Sequence, residues 1–231
     1  KKDYGITYVC FSDELLMSSK GRTISLCEAF LMANLNISWN CSGRINYAKP
    51  DVLKLMKRAG CVNINYGIEA MDDRVLKKMN KGLTIKQIIE GVENTIAGGI
   101  SSSLNMLFGN IGDNNETINK AVEFLLKYDD CFELRTIKPV TPYPGSPLYD
   151  KAIEKGLLKS CEDFYDNKHL NSDLLTINFT DLSDDEFYRC LHKANTSLIK
   201  NYYENQLSHA LESAKELYLK NDSAFRGFRQ R

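Results

Sequence analysis

The sequence predicts an α/β protein, a full or partial (β/α) TIM-like barrel that continues into a C-terminal helical extension. Short apolar runs alternate with helical patterns, and polar residues stand at the end of each run. The alternation stops at about residue 160. No G-x-G-x-x-G follows the first strand, so a barrel is favoured over a dinucleotide-binding open sheet.

Strands and helices follow one another regularly along the first two-thirds of the chain. The strands, read from short apolar runs, are residues 4–11, 37–41, 61–68, 102–108 and 132–138. The helices, read from apolar residues at helical spacing, are residues 23–34, 50–59, 73–80, 84–97 and 116–127. Pro50 suits a first helical turn, and Thr84 with Gln87 forms a capping box.

The last third of the chain departs from this order. We therefore predict a barrel domain over residues 1–158 and a helical extension over residues 159–231. Acidic residues at 181–186 introduce a helical pattern that runs from Phe187 to Lys220. The final stretch, SAFRGFRQR, predicts an exposed basic tail.

Composition argues against several classes of protein. Thirty Lys and Arg residues balance thirty Asp and Glu residues, so a broad nucleic-acid surface is not expected. No apolar run approaches the roughly 20 residues of a membrane span, and no signal-peptide pattern is present. The seven cysteines are scattered without a C-x-x-C pair, and the three histidines lie far apart. We expect a cytoplasmic protein with reduced, mostly buried cysteines and no metal site of local spacing.

Polar residues follow the predicted strands at their carboxyl ends, where (β/α) barrels carry their chemistry. In chain order they are Asp13 and Glu14; Asn40, Ser42 and Arg44; Glu69; Asn105 and Gly109; and Lys138 with residues 141–147. Lys81 ends the helix after Glu69. Acids, amides and cations at one edge suit a zwitterionic ligand with hydroxyls, because carboxylates accept from hydroxyl and amino groups while cations bind a carboxylate.

Each of these residues also has an ordinary structural explanation, which the sequence leaves open. Asp13 could cap a helix, and Arg44 could form a surface ion pair. Lys81 could complement a helix dipole, Asn105 could be a core amide, and residues 142–147 could be only a rigid turn. The set as a whole is more informative than any single member.

Three motifs together resemble the radical S-adenosylmethionine superfamily. They are GIEAMDDRVLKKMNKGLT at 67–84, FGNIGDNNET at 108–117 and TPYPGSPLYD at 141–150. The resemblance extends over residues 4–158 and is strongest to the cobalamin-associated branch, which shares an Elp3- and methylthiotransferase-like core. It implies a six-stranded partial barrel and a 4Fe–4S cluster held by C-x-x-x-C-x-x-C after the first strand. It also implies cleavage of S-adenosylmethionine to a 5′-deoxyadenosyl radical, or methyl transfer with cobalamin.

The resemblance assigns cofactor contacts to named positions. Asp13 and Glu14 are assigned to the amino group, Lys81 to the carboxylate, Glu69 to the ribose or methionyl end and Asn105 to the ribose. The other assigned positions are Arg44 and Gly109 at strand ends, and Pro142 and Tyr143 in the adenine loop. The chain departs from the motifs mildly, with Ala70 for Ser, Ile111 for Pro, and Asp113 and Asn114 for Glu and Thr.

The cysteine triplet is missing from the sequence, and the first strand here matches the family's second. The resemblance therefore implies a partial barrel that lacks its first strand. We expect a fragment, inactive alone, whose partner is the upstream segment that carries the cluster. One alternative is a degenerate barrel that binds without catalysis. Another is an unrelated barrel lyase or aldolase with Lys138 as a Schiff-base amine.

Overall fold

The computed structural model describes residues 3–13 and 15–221 of the chain. Five parallel strands lie side by side in chain order and curl into half of a barrel. They are β1 Tyr8–Cys10, β2 Ser38–Gly43, β3 Cys61–Glu69, β4 Ser101–Phe108 and β5 Lys138–Pro139. The predicted α/β partial barrel is confirmed.

Helices alternate with these strands and cover the outer face of the sheet. They are α1 Lys20–Met32, α2 Pro50–Arg58, α3 Asp73–Lys78, α4 Ile85–Ala97, α5 Asn115–Tyr128, α6 Pro147–Glu154, α7 Cys161–Asp163 and α8 Asp184–Leu219. The capping box of Thr84 and Gln87 is present at the start of α4, and Pro50 lies in the first turn of α2. Local sequence signals therefore set these two helix starts.

The apolar core lies between the outer face of the sheet and the helices. Trp39 is fully buried there, and its indole Nε1 donates to the Ala59 carbonyl at 2.8 Å. Tyr66 is also fully buried, and its hydroxyl lies 3.0 Å from the Thr95 hydroxyl. Both of these buried polar groups therefore have hydrogen-bond partners.

The fifth strand is much shorter than predicted. Of residues 132–138 only Lys138 joins the sheet, followed by Pro139. The reason is a side chain on α8: Asn195 accepts from the Ile137 amide at 2.8 Å and donates to the Ile137 carbonyl at 2.9 Å. Asn195 thus takes the backbone groups that a neighbouring strand would otherwise bond.

The first strand is also shorter than residues 4–11. Gly5 has a φ of +65°, which interrupts the extended conformation. Tyr4 is 85% exposed, so the apolar run that suggested a strand begins outside the core. β1 pairs only with β2 and forms one edge of the sheet.

The C-terminal extension is dominated by one 36-residue helix, α8. Ser183 caps it in a capping box with Glu186, inside the acidic stretch that predicted its start. Its first half buries Phe187, Leu191, Ala194 and Leu198 against the barrel, and the Phe187 ring stacks on Phe108 with centroids 4.8 Å apart. The predicted basic tail lies outside the described residues, and no described helix is long and apolar enough to cross a membrane.

Candidate cofactor site

Side chains on β2, β3 and β4 alternate between the apolar core and the concave inner face. The inner-facing residues are Asn40, Ser42, Asn63, Asn65, Gly67, Glu69, Ser101, Ser103 and Asn105. The strand register brings them into three rows, Asn40–Asn63–Ser101, Ser42–Asn65–Ser103 and Gly67–Asn105. Barrel interiors are ordinarily filled with branched apolar side chains, so this polar face is suited to contact with a polar ligand.

The amide of Asn63 links the lower rows of this face. Its Nδ2 donates to the Ser103 hydroxyl at 2.8 Å and to the Ser101 hydroxyl at 3.2 Å. Because Asn63 is buried and bonded across two strands, it holds β3 and β4 together beneath the open part of the face. The upper rows are left with fewer internal partners.

Glu69 and Lys81 form an ion pair at the upper edge of the inner face. The Lys81 Nζ lies 3.1 Å from the Glu69 Oε1, and the side chains are 27% and 19% exposed. A β-bulge separates Gly67 from Glu69, and Glu69 has a φ of +73°, a left-handed value that is unusual for a residue with a side chain. The bulge re-aims the carboxylate toward the lysine at the end of the next helix.

Gly67 makes room for this pair. A Cβ at Gly67 would lie 2.4 Å from the Glu69 Oε1 and 3.4 Å from the Lys81 Nζ. A side chain at position 67 would therefore displace the carboxylate. Geometry therefore explains the Gly-Ile-Glu sequence at residues 67–69. The Glu69 side chain folds back over its own strand and lies against Gly67, where there is no room for a Cβ.

A polar cavity of about 570 Å³ opens over this edge. Its lining includes Ser42, Arg44, Asn65, Gly67, Lys81 and Asn105. The structure therefore brings together four residues that the sequence singled out at two strand ends and one helix end: Ser42, Arg44, Lys81 and Asn105. Glu69 does not line the cavity itself and reaches its edge only through the ion pair with Lys81. Arg44 is exposed, so its guanidinium is free to meet an anionic group of a ligand.

Three buried polar atoms on the inner side have no hydrogen-bond partner among the described residues. They are the Asn40 Oδ1, the Asn65 Oδ1 and the Arg135 Nε. A buried unpaired polar group costs roughly 1–3 kcal/mol, which a bound polar ligand can recover. Asn65 is the one of the three that lines the cavity.

Arg135 belongs to the inner side although the sequence did not indicate it. Its Nη1 donates to the Asn105 Oδ1 at 2.9 Å, and its Nη2 pairs with Glu133. A strand over residues 132–138 would put Arg135 on the same face as the buried Ile137, that is, away from the site. Because that strand does not form, the alternation of residues along it predicts the wrong side of the sheet for Arg135.

The acidic residues at the end of β1 give less support. Asp13 forms an ion pair with Arg22 on α1 at 2.8 Å, and both side chains are about half exposed. It does not cap α1, since Ser19 holds that position. Glu14 lies outside the described residues, and its predicted contact stays a prediction.

Gly109 positions a loop and does not line the polar cavity. Its amide and that of Asn110 donate to the Asp113 carboxylate at 3.1 and 2.8 Å. Burial raises the pKa of Asp113 above its usual range. A Cβ at Gly109 would lie 2.9 Å from the Phe187 ring, so glycine allows α8 to pack here.

Residues of the predicted adenine loop are also outside the cavity lining. Pro142 is buried, and the Tyr143 ring packs on Phe164 and His169 with its hydroxyl 2.7 Å from the Ser172 hydroxyl. Their contact with a cofactor remains a prediction. Lys138 is half exposed and pairs with Asp173 at 2.9 Å, a surface arrangement that gives no support to a Schiff-base lysine.

Comparison with known proteins defines the class. The family model of the Radical SAM superfamily matches residues 4–125, more than half of the chain. The chain therefore belongs to the Radical SAM superfamily, as its motifs suggested.

Two curated relatives are methyltransferases. An uncharacterized methyltransferase of Pyrococcus horikoshii is 32% identical over 156 residues, which is 68% of this chain and 34% of that protein. Bacteriochlorophyllide d C-12(1)-methyltransferase of Chlorobaculum tepidum is 29% identical over 126 residues, 54% of this chain and 27% of that protein. The chain thus spans about a third or less of the length of these relatives.

A solved structure supports the fold. The radical S-adenosylmethionine methyltransferase TsrM from Kitasatospora setae, with cobalamin and a 4Fe–4S cluster bound, gives a TM-score of 0.61 at 16% identity. The match covers 85% of this chain and 44% of that chain. At this identity the likeness establishes the shared half-barrel alone.

Proposed function

We propose that this chain is the S-adenosylmethionine-binding part of a radical S-adenosylmethionine enzyme that transfers a methyl group, in a reaction that also uses cobalamin. The observation that carries the proposal is the polar cavity with the buried, unpaired Asn65 carbonyl in its wall. The methyltransferase relatives support the reaction class.

The residues of the cavity fit a zwitterion that carries ribose hydroxyls. Arg44 and Lys81 offer cations to an α-carboxylate. Glu69, which pairs with Lys81 at the edge of the cavity, offers an acceptor to an amino or hydroxyl group. Asn65 and Asn105 add amides that accept from hydroxyls or donate to them. When bound, S-adenosylmethionine supplies a carbon radical or a methyl group. The residues of this chain hold and orient it.

A 4Fe–4S cluster does not fit the described residues of this chain. Among them no group of three or more His, Cys, Asp or Glu side chains is arranged to hold a metal. Four of the seven thiols, those of Cys27, Cys41, Cys61 and Cys131, are buried. We propose that a preceding segment of the same protein contributes the cluster ligands and that a further domain holds cobalamin.

The lack of a cluster-holding group among the described residues also favours a second candidate, a barrel that binds without catalysis. Anaerobic reconstitution of the longer parent protein with iron and sulfide separates the two. A 4Fe–4S absorption signal with turnover of S-adenosylmethionine supports the enzyme. A protein that binds S-adenosylmethionine but takes up no cluster would support the binding module.

The binding site itself can be tested on this chain. We expect Asn65→Leu to weaken S-adenosylmethionine binding roughly 3- to 10-fold in equilibrium dialysis, because one neutral hydrogen bond is lost. Its stability should not fall, since leucine removes a buried unpaired oxygen. Asn119→Leu, an exposed change on α5, is the control and should bind normally. Normal binding by Asn65→Leu would contradict the assignment of Asn65.

A further inference from the structure

Arg135 lies in the segment before β5 and contacts the wall of the polar cavity from behind. Its Nη1 donates to the Asn105 Oδ1 at 2.9 Å, and Asn105 lines the cavity opposite Gly67 in the strand register. Arg135 itself is not part of the cavity lining. An effect of its guanidinium on a ligand in that cavity is therefore expected to pass through Asn105.

The guanidinium determines which end of the Asn105 amide faces it. An arginine side chain has five N–H donors and no acceptor, so only the carbonyl oxygen of the amide can face Arg135 favourably. The planar amide then directs its Nδ2 away from the guanidinium. Within residues 3–13 and 15–221 this Nδ2 has no hydrogen-bond partner, so its two N–H donors are left for a ligand.

Both partners of this contact are held in place. The Arg135 Nη2 pairs with Glu133, and the Arg135 side chain is only 22% exposed. Asn105 lies within β4, whose backbone is hydrogen-bonded to β3 at this level. Turning the amide over would set its Nδ2 donor against a donor-only cation, which is unfavourable.

We propose that Arg135 is a positioning residue that holds Asn105 as a hydrogen-bond donor toward the polar cavity. The ligand atom at Asn105 is then an acceptor, such as a carboxylate or ribose oxygen, and not an ammonium nitrogen. The ammonium of the ligand is directed instead toward the Glu69 carboxylate at the cavity edge. The inference rests on the proposed function in naming S-adenosylmethionine as this ligand.

A double-variant cycle on the 231-residue chain tests whether Arg135 acts through Asn105. In equilibrium dialysis, Arg135→Met should weaken S-adenosylmethionine binding roughly 3- to 10-fold, because the freed amide no longer presents its donor reliably. In an Asn105→Ala background, Arg135→Met should weaken binding no further. Arg58→Met removes an exposed cation on α2 outside the cavity lining and should bind as wild type.

Asn105→Asp tests the direction of the amide. The carboxylate keeps an oxygen toward Arg135 but replaces the Nδ2 donor by an acceptor, so binding should weaken roughly 10-fold or more. The urea midpoint at pH 7 should not fall, because the contact with Arg135 becomes charge-assisted.

Two results would overturn the inference. One is an equal loss of binding on Arg135→Met in the wild-type and Asn105→Ala backgrounds, which is the result of a merely structural role. The other is an Asn105→Asp variant that binds as wild type does. If wild type itself binds no S-adenosylmethionine, the proposed function fails. The urea midpoint of Asn105→Asp then decides the amide direction alone, and a midpoint below that of wild type would reject it.

Discussion

Gly67→Ala tests the ion-pair geometry at the edge of the polar cavity. The added methyl would lie 2.4 Å from the Glu69 Oε1, about 1 Å inside ordinary van der Waals contact. The carboxylate must move by roughly that distance, since the strand backbone on either side is fixed by the sheet. The 3.1 Å contact with Lys81 then lengthens or breaks.

The expected change in stability is small because two effects oppose each other. A partly exposed ion pair contributes about 0.2–1 kcal/mol, which the variant loses. Alanine in a strand gains roughly 0.5–1 kcal/mol over glycine, because the unfolded chain loses less entropy on folding. The free energy of unfolding should therefore change by less than about 1 kcal/mol.

The expected change in binding is larger. A hydrogen bond to a charged group contributes about 1.5–3 kcal/mol, so misplacing the Glu69 carboxylate should weaken S-adenosylmethionine binding by roughly 10- to 100-fold. Urea unfolding and equilibrium dialysis measure the two quantities. Gly21→Ala on α1 is the matched control, because nothing lies within 4 Å of its Cβ. If Gly67→Ala bound the cofactor as wild type does, the role of the Glu69 carboxylate would be refuted.

Three further outcomes are expected. Glu69→Gln keeps the shape but removes the charge, so dialysis should show weaker S-adenosylmethionine binding with a change in stability below about 1 kcal/mol; equal losses of both would make Glu69 structural. Asn195→Ala leaves the amide and carbonyl of Ile137 unpaired and should lower the free energy of urea unfolding by about 2–4 kcal/mol, whereas a loss below 1 kcal/mol would contradict its strand-replacing role. Burial raises the pKa of Asp129 to about 6, so the folded chain binds this proton more tightly than the unfolded chain, whose ordinary carboxyl pKa is 3.8. The resulting stability is full below pH 3.8 and is lost as the pH rises through 6. Asp129→Asn keeps the acceptor for the Cys131 amide. In urea unfolding at pH 8 its free energy of unfolding should exceed that of wild type by roughly 1–3 kcal/mol, whereas at pH 4 the two should be equal. Equal free energies at pH 8 would count against a buried charge at Asp129.

The central strands were predictable because each is a compact apolar run bounded by turn residues. β3 and β4 match the expected ranges to within one residue at each end. The fifth strand was not predictable in this way, since its replacement partner, Asn195, lies 58 residues further along the chain. Such long-range competition for backbone groups leaves no local pattern in the sequence.

The sequence predicts which residues lie at the strand ends around the site, but it does not predict which of them form ion pairs. Arg44, Lys81 and Asn105 meet at one cavity because parallel strands bring their carboxyl ends to the same edge. That Glu69 pairs with Lys81 depends on a bulge and a positive φ, which the residue types alone do not determine. Arg135 was missed because its orientation follows from a strand that does not form.

The polar inner face should make the stability of the chain depend on bound ligand. The unpaired atoms of Asn40, Asn65 and Arg135 lower the stability of the free chain, so a ligand that satisfies them should raise it. At a concentration of 100 times Kd, one bound ligand adds about 2.7 kcal/mol to the free energy of unfolding. We expect S-adenosylmethionine to shift the urea midpoint of wild type accordingly. At the same concentration, Asn65→Leu should shift less, because its Kd is higher and the oxygen that the ligand would satisfy is gone. A shift of equal size in both would mean that the stabilising contact lies elsewhere on the inner face.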